Sequence, residues 1–334
     1  MVRKLLQEGH EVVVWNRSSK QSEKLKLEAT LRQSSGQGSK KLEVAYSIKE
    51  LVKSLEKPRV VWSMVPAGEA TEQVLLEVGK YVERGDIVID GGNSFYKDTQ
   101  RRFEKFKKRG IRFLGIGVSG GIIAAKDGYP MMTGGDKSAY QFIKPILDSL
   151  AKPTHSTLRP RSGRASSGQG GGHDYFGEGG AGHFVKMIHN GMEYGIMQSL
   201  GEGFDLLKNS PYKFDLLKVA KLYQKGTLVS GFMLDRAVEA LQSGIVNEIT
   251  GVIDASGEAQ WTVETAKELG IPVEIIERSL EYRKRSKKDK KIQKSYTAKM
   301  VAALRAAFGA HPVRQAFTLT IRHRNEQGKG VKKG

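Results

Sequence analysis

From residue 11 to residue 118 the chain repeats one pattern: a short β-branched or apolar run, then a turn of glycine, serine or asparagine. The runs are Glu11 to Trp15 (EVVVW), Leu42 to Val44, Val60 to Val65, Ile87 to Asp90 (IVID) and Ile111 to Gly115. Between them lie helix-compatible stretches, 47–55 and the charged 97–109 among them. Near-continuous apolar strands are buried on both faces, which is the condition of a parallel sheet with helical crossovers. The pattern predicts an α/β chain with a Rossmann-type, doubly wound, mainly parallel sheet. Residues 2–8 read as the end of a helix closed by Gly9.

In such sheets ligands bind beyond the carboxyl ends of the strands. Four turns fall there: Asn16-Arg17-Ser18, Val65-Pro66-Ala67-Gly68, Gly91-Gly92-Asn93-Ser94 and Val118-Ser119-Gly120-Gly121. Glycine lets the backbone approach a ligand closely, and backbone N–H groups can meet phosphate oxygens.

The alternation stops near residue 150. Residues 151–180 contain the basic, glycine- and serine-rich run RPRSGRASSGQGGG (159–172) and read as a linker or insertion, with a similar patch at 33–41. Helical segments are expected over 183–208, 213–224, 229–243, 258–269, 272–288 and 292–308. The predicted organisation is a nucleotide-binding domain (1–150), the linker (151–180), an all-helical domain (181–314) and a frayed tail (315–334).

The second domain opens with GGAGHFVKMIHNGMEYGIMQSLGEG, residues 179–203. On a helix Lys186, His189, Asn190 and Glu193 share one face. Phe184, Met187, Ile188, Ile196 and Leu200 are expected to bury the rest. Four polar groups on a largely apolar helix are costly unless they line a site.

Composition narrows the function. There are no cysteines, so thiol nucleophiles and thiolate metal sites are excluded, and no metal-ligand spacing appears among the seven histidines. The net charge of +19 favours an anionic partner, a polyanion or a phosphorylated small molecule. The basic residues crowd into 278–299 without interleaved stacking aromatics, which speaks against nucleic acid. No apolar run approaches the roughly 20 residues that span a bilayer, and the N-terminus lacks a signal-peptide pattern, so a cytoplasmic location without a membrane partner is expected. A non-catalytic binder using the basic surface is the alternative class.

Three motifs carry a resemblance: IDGGNSFYKDTQRR (89–102), GIGVSGGIIAAKDGYPMMTGG (115–135) and GAGHFVKMIHNGMEYGIMQSLGEG (180–203). They resemble the decarboxylating 6-phosphogluconate dehydrogenases, over residues 2 to about 314, in the family's short form. The resemblance implies oxidative decarboxylation of 6-phosphogluconate to ribulose 5-phosphate and carbon dioxide, a step of the pentose phosphate pathway. It implies Lys186 as base and Glu193 as acid. Asn93 would lie between nicotinamide and substrate. Ser119, Gly120, Gly121, His189 and Asn190 would hold the sugar carboxylate and hydroxyls, and Tyr194 and Arg283 the phosphate. Arg305 and His311, from LRAAFGAH, would reach into a neighbouring subunit's site, making the protein a dimer or tetramer. Asn16, Arg17, Ser18, Val65, Ala67 and Asn93 would line the cofactor. Arginine at position 17, where an acidic residue would read a ribose hydroxyl, favours NADP, with NAD open.

The family's Gly-x-Gly-x-x-Gly loop follows a first strand and precedes the segment matching Val2 to His10. It has no counterpart in this chain: either the first strand and pyrophosphate loop lie upstream of Met1, or the chain is a real fragment that folds poorly, or it is an inactive phosphosugar-binding homologue that has lost its cofactor. Without that central strand both of its neighbours would show unpaired edges and NADP would bind weakly or not at all. Ala124 stands where glycine is common, and a lysine that long members place before Trp261 is missing. A 3-hydroxyisobutyrate-type dehydrogenase is the rival enzyme; it would need neither Glu193, His189 nor the Arg305/His311 pair.

Overall fold

The computed structural model describes residues 1–34, 42–151, 172–255 and 257–309. The 35–41 part of the first glycine/serine patch, most of the 159–172 run, His311 and the 315–334 tail lie outside the described residues.

The first half runs α1 (Val2–Gln7), β1 (Val12–Val14), α2 (Ser19–Ser34), β2 (Leu42–Val44), α3 (Ile48–Lys53), β3 (Val60–Ser63), α4 (Glu69–Gly79), β4 (Ile87–Asp90), α5 (Tyr96–Lys107) and β5 (Arg112–Val118). A 3-10 turn (Gly121–Ile123), α6 (Ala124–Asp127), β6 (Met131–Gly135), α7 (Lys137–Ala151) and β7 (His173–Tyr175) follow. The second half is helical: α8 (Ala181–Lys208), α9 (Leu216–Tyr223), α10 (Phe232–Ser243), α11 (Ile245–Glu248), α12 (Gly257–Glu268), α13 (Glu274–Ser286), α14 (Lys290–Lys294) and α15 (Tyr296–Ala307). Among the described residues no helix is long and apolar enough to cross a membrane.

Strands β3, β4 and β5 pair in parallel, as the alternation predicts. Strand β6 is antiparallel to β5, and β7 is parallel to β6. The expectation of a mainly parallel sheet therefore misses one reversal, and residues 173–175, inside the expected linker, extend the sheet. Among the described residues β1 and β2 pair only with each other, so the Rossmann-like half there holds a two-stranded and a five-stranded sheet. β1 and β3 thus each keep an edge without a ladder. Val12, Val13 and Val14 are only partly buried, not the fully buried strand expected.

Burial follows the strand period of two. Ile87, Ile89, Leu114 and Ile116 face Ile143, Leu147 and Leu150 of α7, while Val88 and Phe113 face Phe103 and Phe106 of α5. In the helical half Met300, Val301 and Leu304 of α15 pack with Met197 and Phe204 of α8 and Leu234 and Val238 of α10.

Local chemistry sets the helix ends. Gly9 has φ 89°, and the N–H groups of Gly9 and His10 donate to the carbonyls of Leu6 (3.2 Å) and Leu5 (2.9 Å), a Schellman closure of α1. The expected 292–308 helix is broken at Ser295, which is extended and accepts a hydrogen bond from the Ala298 N–H, so α15 begins afresh there.

Candidate active site

Glycines decide where α8 sits. A Cβ on Gly182 would lie 2.4 Å from the Gly134 nitrogen, one on Gly115 2.5 Å from Thr99 Cγ2, and one on Gly117 2.3 Å from Lys186 Cβ. Only bare backbone lets α8 lie directly on β5 and β6. Two strings match Gly-x-Gly-x-x-Gly, at 115–120 and 177–182. Of their glycines, Gly115, Gly117 and Gly182 fill this contact, a Cβ on Gly179 would lie 1.8 Å from Gln100 Oε1, and Gly120 faces the cavity at the end of β5. Lys186 is thereby held one turn into α8, beside the carboxyl end of β5. There Gly120 (φ 90°) and Gly121 (φ 54°) turn the chain through the left-handed region.

Lys186 Nζ donates to Asn190 Oδ1 at 2.7 Å and to Ser119 Oγ at 3.4 Å, with His189 Nδ1 also at 3.4 Å. His189 Nδ1 lies 3.1 Å from Asn190 Oδ1 and 3.8 Å from a Glu193 oxygen. Burial pushes the Lys186 ammonium below the ordinary lysine value of 10.5, against Glu193 and Glu258, which favour its charge. Burial, then the Lys186 charge, push His189 down as well.

These groups open onto a cavity of about 630 Å³. It gathers every substrate-site residue expected from the sequence except His311: Asn93, Ser119, Gly120, Gly121, Lys186, His189, Asn190, Glu193, Tyr194, Arg283 and Arg305. The Arg283 guanidinium lies 3.3 Å from the centroid of the Tyr194 ring, as a cation over an aromatic face, and the residue is 1% exposed. Burial foremost brings Arg283 down to about 10; Tyr194 opposes and Arg305 adds to it.

Arg305 lines the cavity of its own chain. The expectation that Arg305 reaches into a neighbouring subunit's site stays a proposal about the oligomer. Because Ser295 starts α15 and Met300, Val301 and Leu304 seat it in the helical core, its last turn stays beside α8. The Phe308 carbonyl then accepts from the Ile122 N–H at 3.4 Å, tying the end of α15 to the turn after Gly121.

The Asn93 loop rests on a buried ion pair. Asp90 Oδ1 accepts from the Gly92 N–H at 3.2 Å, and Arg102 Nη1 donates to Asp90 Oδ2 at 3.0 Å. Arg102 Nε also donates to Glu72 (3.0 Å), whose carboxyl Arg101 foremost, and Arg102 with it, hold at about 2. His183, fully buried and bonded to Thr99 Oγ1 at 2.7 Å, ties α8 to α5.

Sequence reasoning missed Glu258, Phe232 and Met233, which also line the cavity. Glu258 lies far along the chain from α8. It arrives because Thr262, on the same helix α12, donates to the Met187 carbonyl at 3.0 Å. Ile196, expected to be buried, is 51% exposed and lines the cavity too.

The cofactor candidates are arranged differently. Asn16, Arg17 and Ser18 are exposed beyond β1, and Val65 and Ala67 are partly buried beyond β3. Of the six, only Asn93 lines the cavity. The residues present fit the ribose and nicotinamide parts of a dinucleotide; among the described residues no glycine-rich loop is placed for its pyrophosphate. Arg17 makes no ion pair among the described residues and is available to a phosphate. A Cβ at Gly92 would lie 2.8 Å from the Val65 carbonyl, so the loops after β3 and β4 approach by backbone alone.

Residues 1–159 match the family described as the NAD binding domain of 6-phosphogluconate dehydrogenase, and residues 182–297 match the 6-phosphogluconate dehydrogenase C-terminal domain. An NAD(+)-dependent, decarboxylating 6-phosphogluconate dehydrogenase from Haloferax volcanii is 31% identical over 315 residues, covering 94% of each chain. A longer NADP(+)-dependent, decarboxylating relative from Bacillus subtilis is 36% identical over 81% of this chain and 55% of its own length. Among solved structures, a Plasmodium falciparum 6-phosphogluconate dehydrogenase, studied apo, with NADP+ and with 6-phosphogluconate, superposes with a TM-score of 0.72 at 29% identity. That superposition covers 86% of this chain and 60% of the Plasmodium chain. A 3-hydroxyisobutyrate dehydrogenase from Mycobacterium tuberculosis shares the fold at 15% identity, with a TM-score of 0.62 over 89% of this chain and 92% of its own.

Proposed function

Because the chain belongs to the 6-phosphogluconate dehydrogenase family, we propose that it catalyses the oxidative decarboxylation of 6-phosphogluconate to ribulose 5-phosphate with an NAD(P) cofactor. The observation that carries this reading is the buried Lys186, its pKa lowered, bonded to Asn190 and sharing one cavity with Glu193 and two buried arginines.

Neutral Lys186 takes the proton of the substrate 3-hydroxyl, as a general base positioned by Asn190 and Ser119. A bound nicotinamide supplies the hydride acceptor for C3. Oxidation leaves a carbonyl β to the carboxylate, so carbon dioxide departs readily. The Lys186 ammonium formed in the first step stabilises the developing enolate oxygen. Glu193, two turns along the same helix, returns a proton to the carbon that lost carbon dioxide, C2 of the substrate and C1 of ribulose 5-phosphate. Arg283, stacked on Tyr194, and Arg305 hold the phosphate, a dianion that two buried guanidinium groups suit well.

Relatives of both cofactor types are similar to this chain. Arg17 favours NADP, since a guanidinium accommodates a ribose 2′-phosphate. A dimer or tetramer is proposed on family resemblance alone.

The test is formation of reduced nicotinamide and carbon dioxide from 6-phosphogluconate with each dinucleotide. Lys186→Met is expected to cut turnover by about a thousandfold while 6-phosphogluconate still binds in calorimetry. A folded Lys186→Met protein that turns over at the wild-type rate contradicts the assignment.

A further inference from the structure

Glu258 is, with Glu193, one of two carboxylates in a cavity that also holds Lys186, Arg283 and Arg305. It is 6% exposed and lines the same wall as Lys186. Its Oε2 is shut off from solvent and has no hydrogen-bond partner. Its backbone is tied to α8 through one hydroxyl: Thr262 Oγ1 lies 2.9 Å from the Glu258 carbonyl and 3.0 Å from the Met187 carbonyl, with its single proton shared between them. A buried acceptor without a donor costs free energy, so a ligand that supplies one is favoured there. The charge balance sharpens the point. Lys186, Arg283 and Arg305 suit a phosphorylated acid, whereas a carboxylate repels it. What a carboxylate offers such a ligand is an acceptor for hydroxyl protons, and the soft terminal torsion of glutamate lets either oxygen turn to the donor.

With the cavity taken as a 6-phosphogluconate site, we infer that Glu258 binds the substrate's polyol chain, accepting a hydrogen bond from one of its hydroxyls and selecting for sugar acids over short hydroxy acids. Glu258 is then a specificity-determining contact for the polyol chain. It takes no proton in the reaction.

The two things that Glu258 could do to an anionic ligand have opposite signs. If it acts only as a charge, removing it tightens binding. If it holds a hydroxyl, removing it loosens binding. Isothermal calorimetry with 6-phosphogluconate, which needs no turnover, separates them. Glu258→Ala is expected to raise Kd about 10- to 100-fold, the range for a hydrogen bond to a charged group. Glu258→Gln, whose amide oxygen still accepts, binds more tightly than Glu258→Ala and serves where the alanine variant does not fold. Deoxy analogues of 6-phosphogluconate, each lacking one hydroxyl, complete the test. For one of them the wild-type protein and Glu258→Ala bind with equal Kd, because the contact is already gone. Kd values for both variants equal to or tighter than wild type would overturn the inference. So would a wild-type to Glu258→Ala ratio that is the same for every analogue. Failure of the wild-type protein to bind 6-phosphogluconate at all would instead overturn the function proposed for the cavity, and this contact with it.

Discussion

The substrate half and the nucleotide half of this molecule are built in opposite ways. The substrate half draws side chains from α8, α12, α13, α15 and the loops after β4 and β5 into one buried cavity. Its ionisable groups are moved by burial and by one another, as with Lys186, His189 and Arg283. The nucleotide half presents Asn16, Arg17 and Ser18 in the open, beyond a three-residue strand that pairs on one edge. One half works through fixed side chains in low dielectric; the other relies on backbone and on exposed charge. The same kind of substitution should therefore cost far more on the substrate side.

The largest effect is expected at the contact that seats Lys186. Gly117→Val places carbon where Lys186 Cβ already stands and shifts the amine from its partners. Misplacement of a reacting group by about 1 Å costs roughly a hundredfold in rate, so turnover should fall by that much or more. Initial rates, with circular dichroism to confirm folding, check it. Next comes the phosphate anchor. Arg283→Met should weaken 6-phosphogluconate binding about 10- to 100-fold and leave unphosphorylated gluconate nearly unaffected, as read by calorimetry with both ligands. The smallest effect is expected on the nucleotide side. Arg17→Ala should lower NADP affinity only about two- to fivefold and leave NAD unchanged, because an exposed ion pair contributes little. A loss there as large as that from Arg283→Met would erase the contrast between the halves.

The same contrast explains what the sequence disclosed. The stripe of Lys186, His189, Asn190 and Glu193 is legible because helical spacing alone puts four reactive types on one face. β3, β4 and β5 are legible as apolar runs. β6 is not, because MMTGG has weak strand character; Gly134 and Gly135 are there so that α8 and β5 can come close. β7 is three residues long and follows a basic, glycine-rich stretch. Glu258 reaches the cavity only through tertiary packing of α12 on α8, and no spacing within a helix announces that. The place of Arg305 beside the cavity is likewise a matter of how α15 folds back. The Asn16-Arg17-Ser18 turn could be placed at a strand end, but exposure leaves its partners unspecified.

Lys186 carries the chemistry proposed for the cavity, and its protonation state is the most exposed part of that proposal. Burial lowers its pKa below 10.5, while Glu193 and Glu258 pull the other way. The neutral base therefore gains population as pH rises through a value below 10.5. Replacing Glu258 with glutamine removes a charge that favours the ammonium and moves that value lower still. Side-chain NMR titration of Lys186, with its resonance identified by loss in Lys186→Met, reads this without substrate or cofactor. A midpoint clearly below 10.5 that falls further in Glu258→Gln is the expected result; a midpoint at or above 10.5 would contradict the assignment of Lys186 as the neutral base.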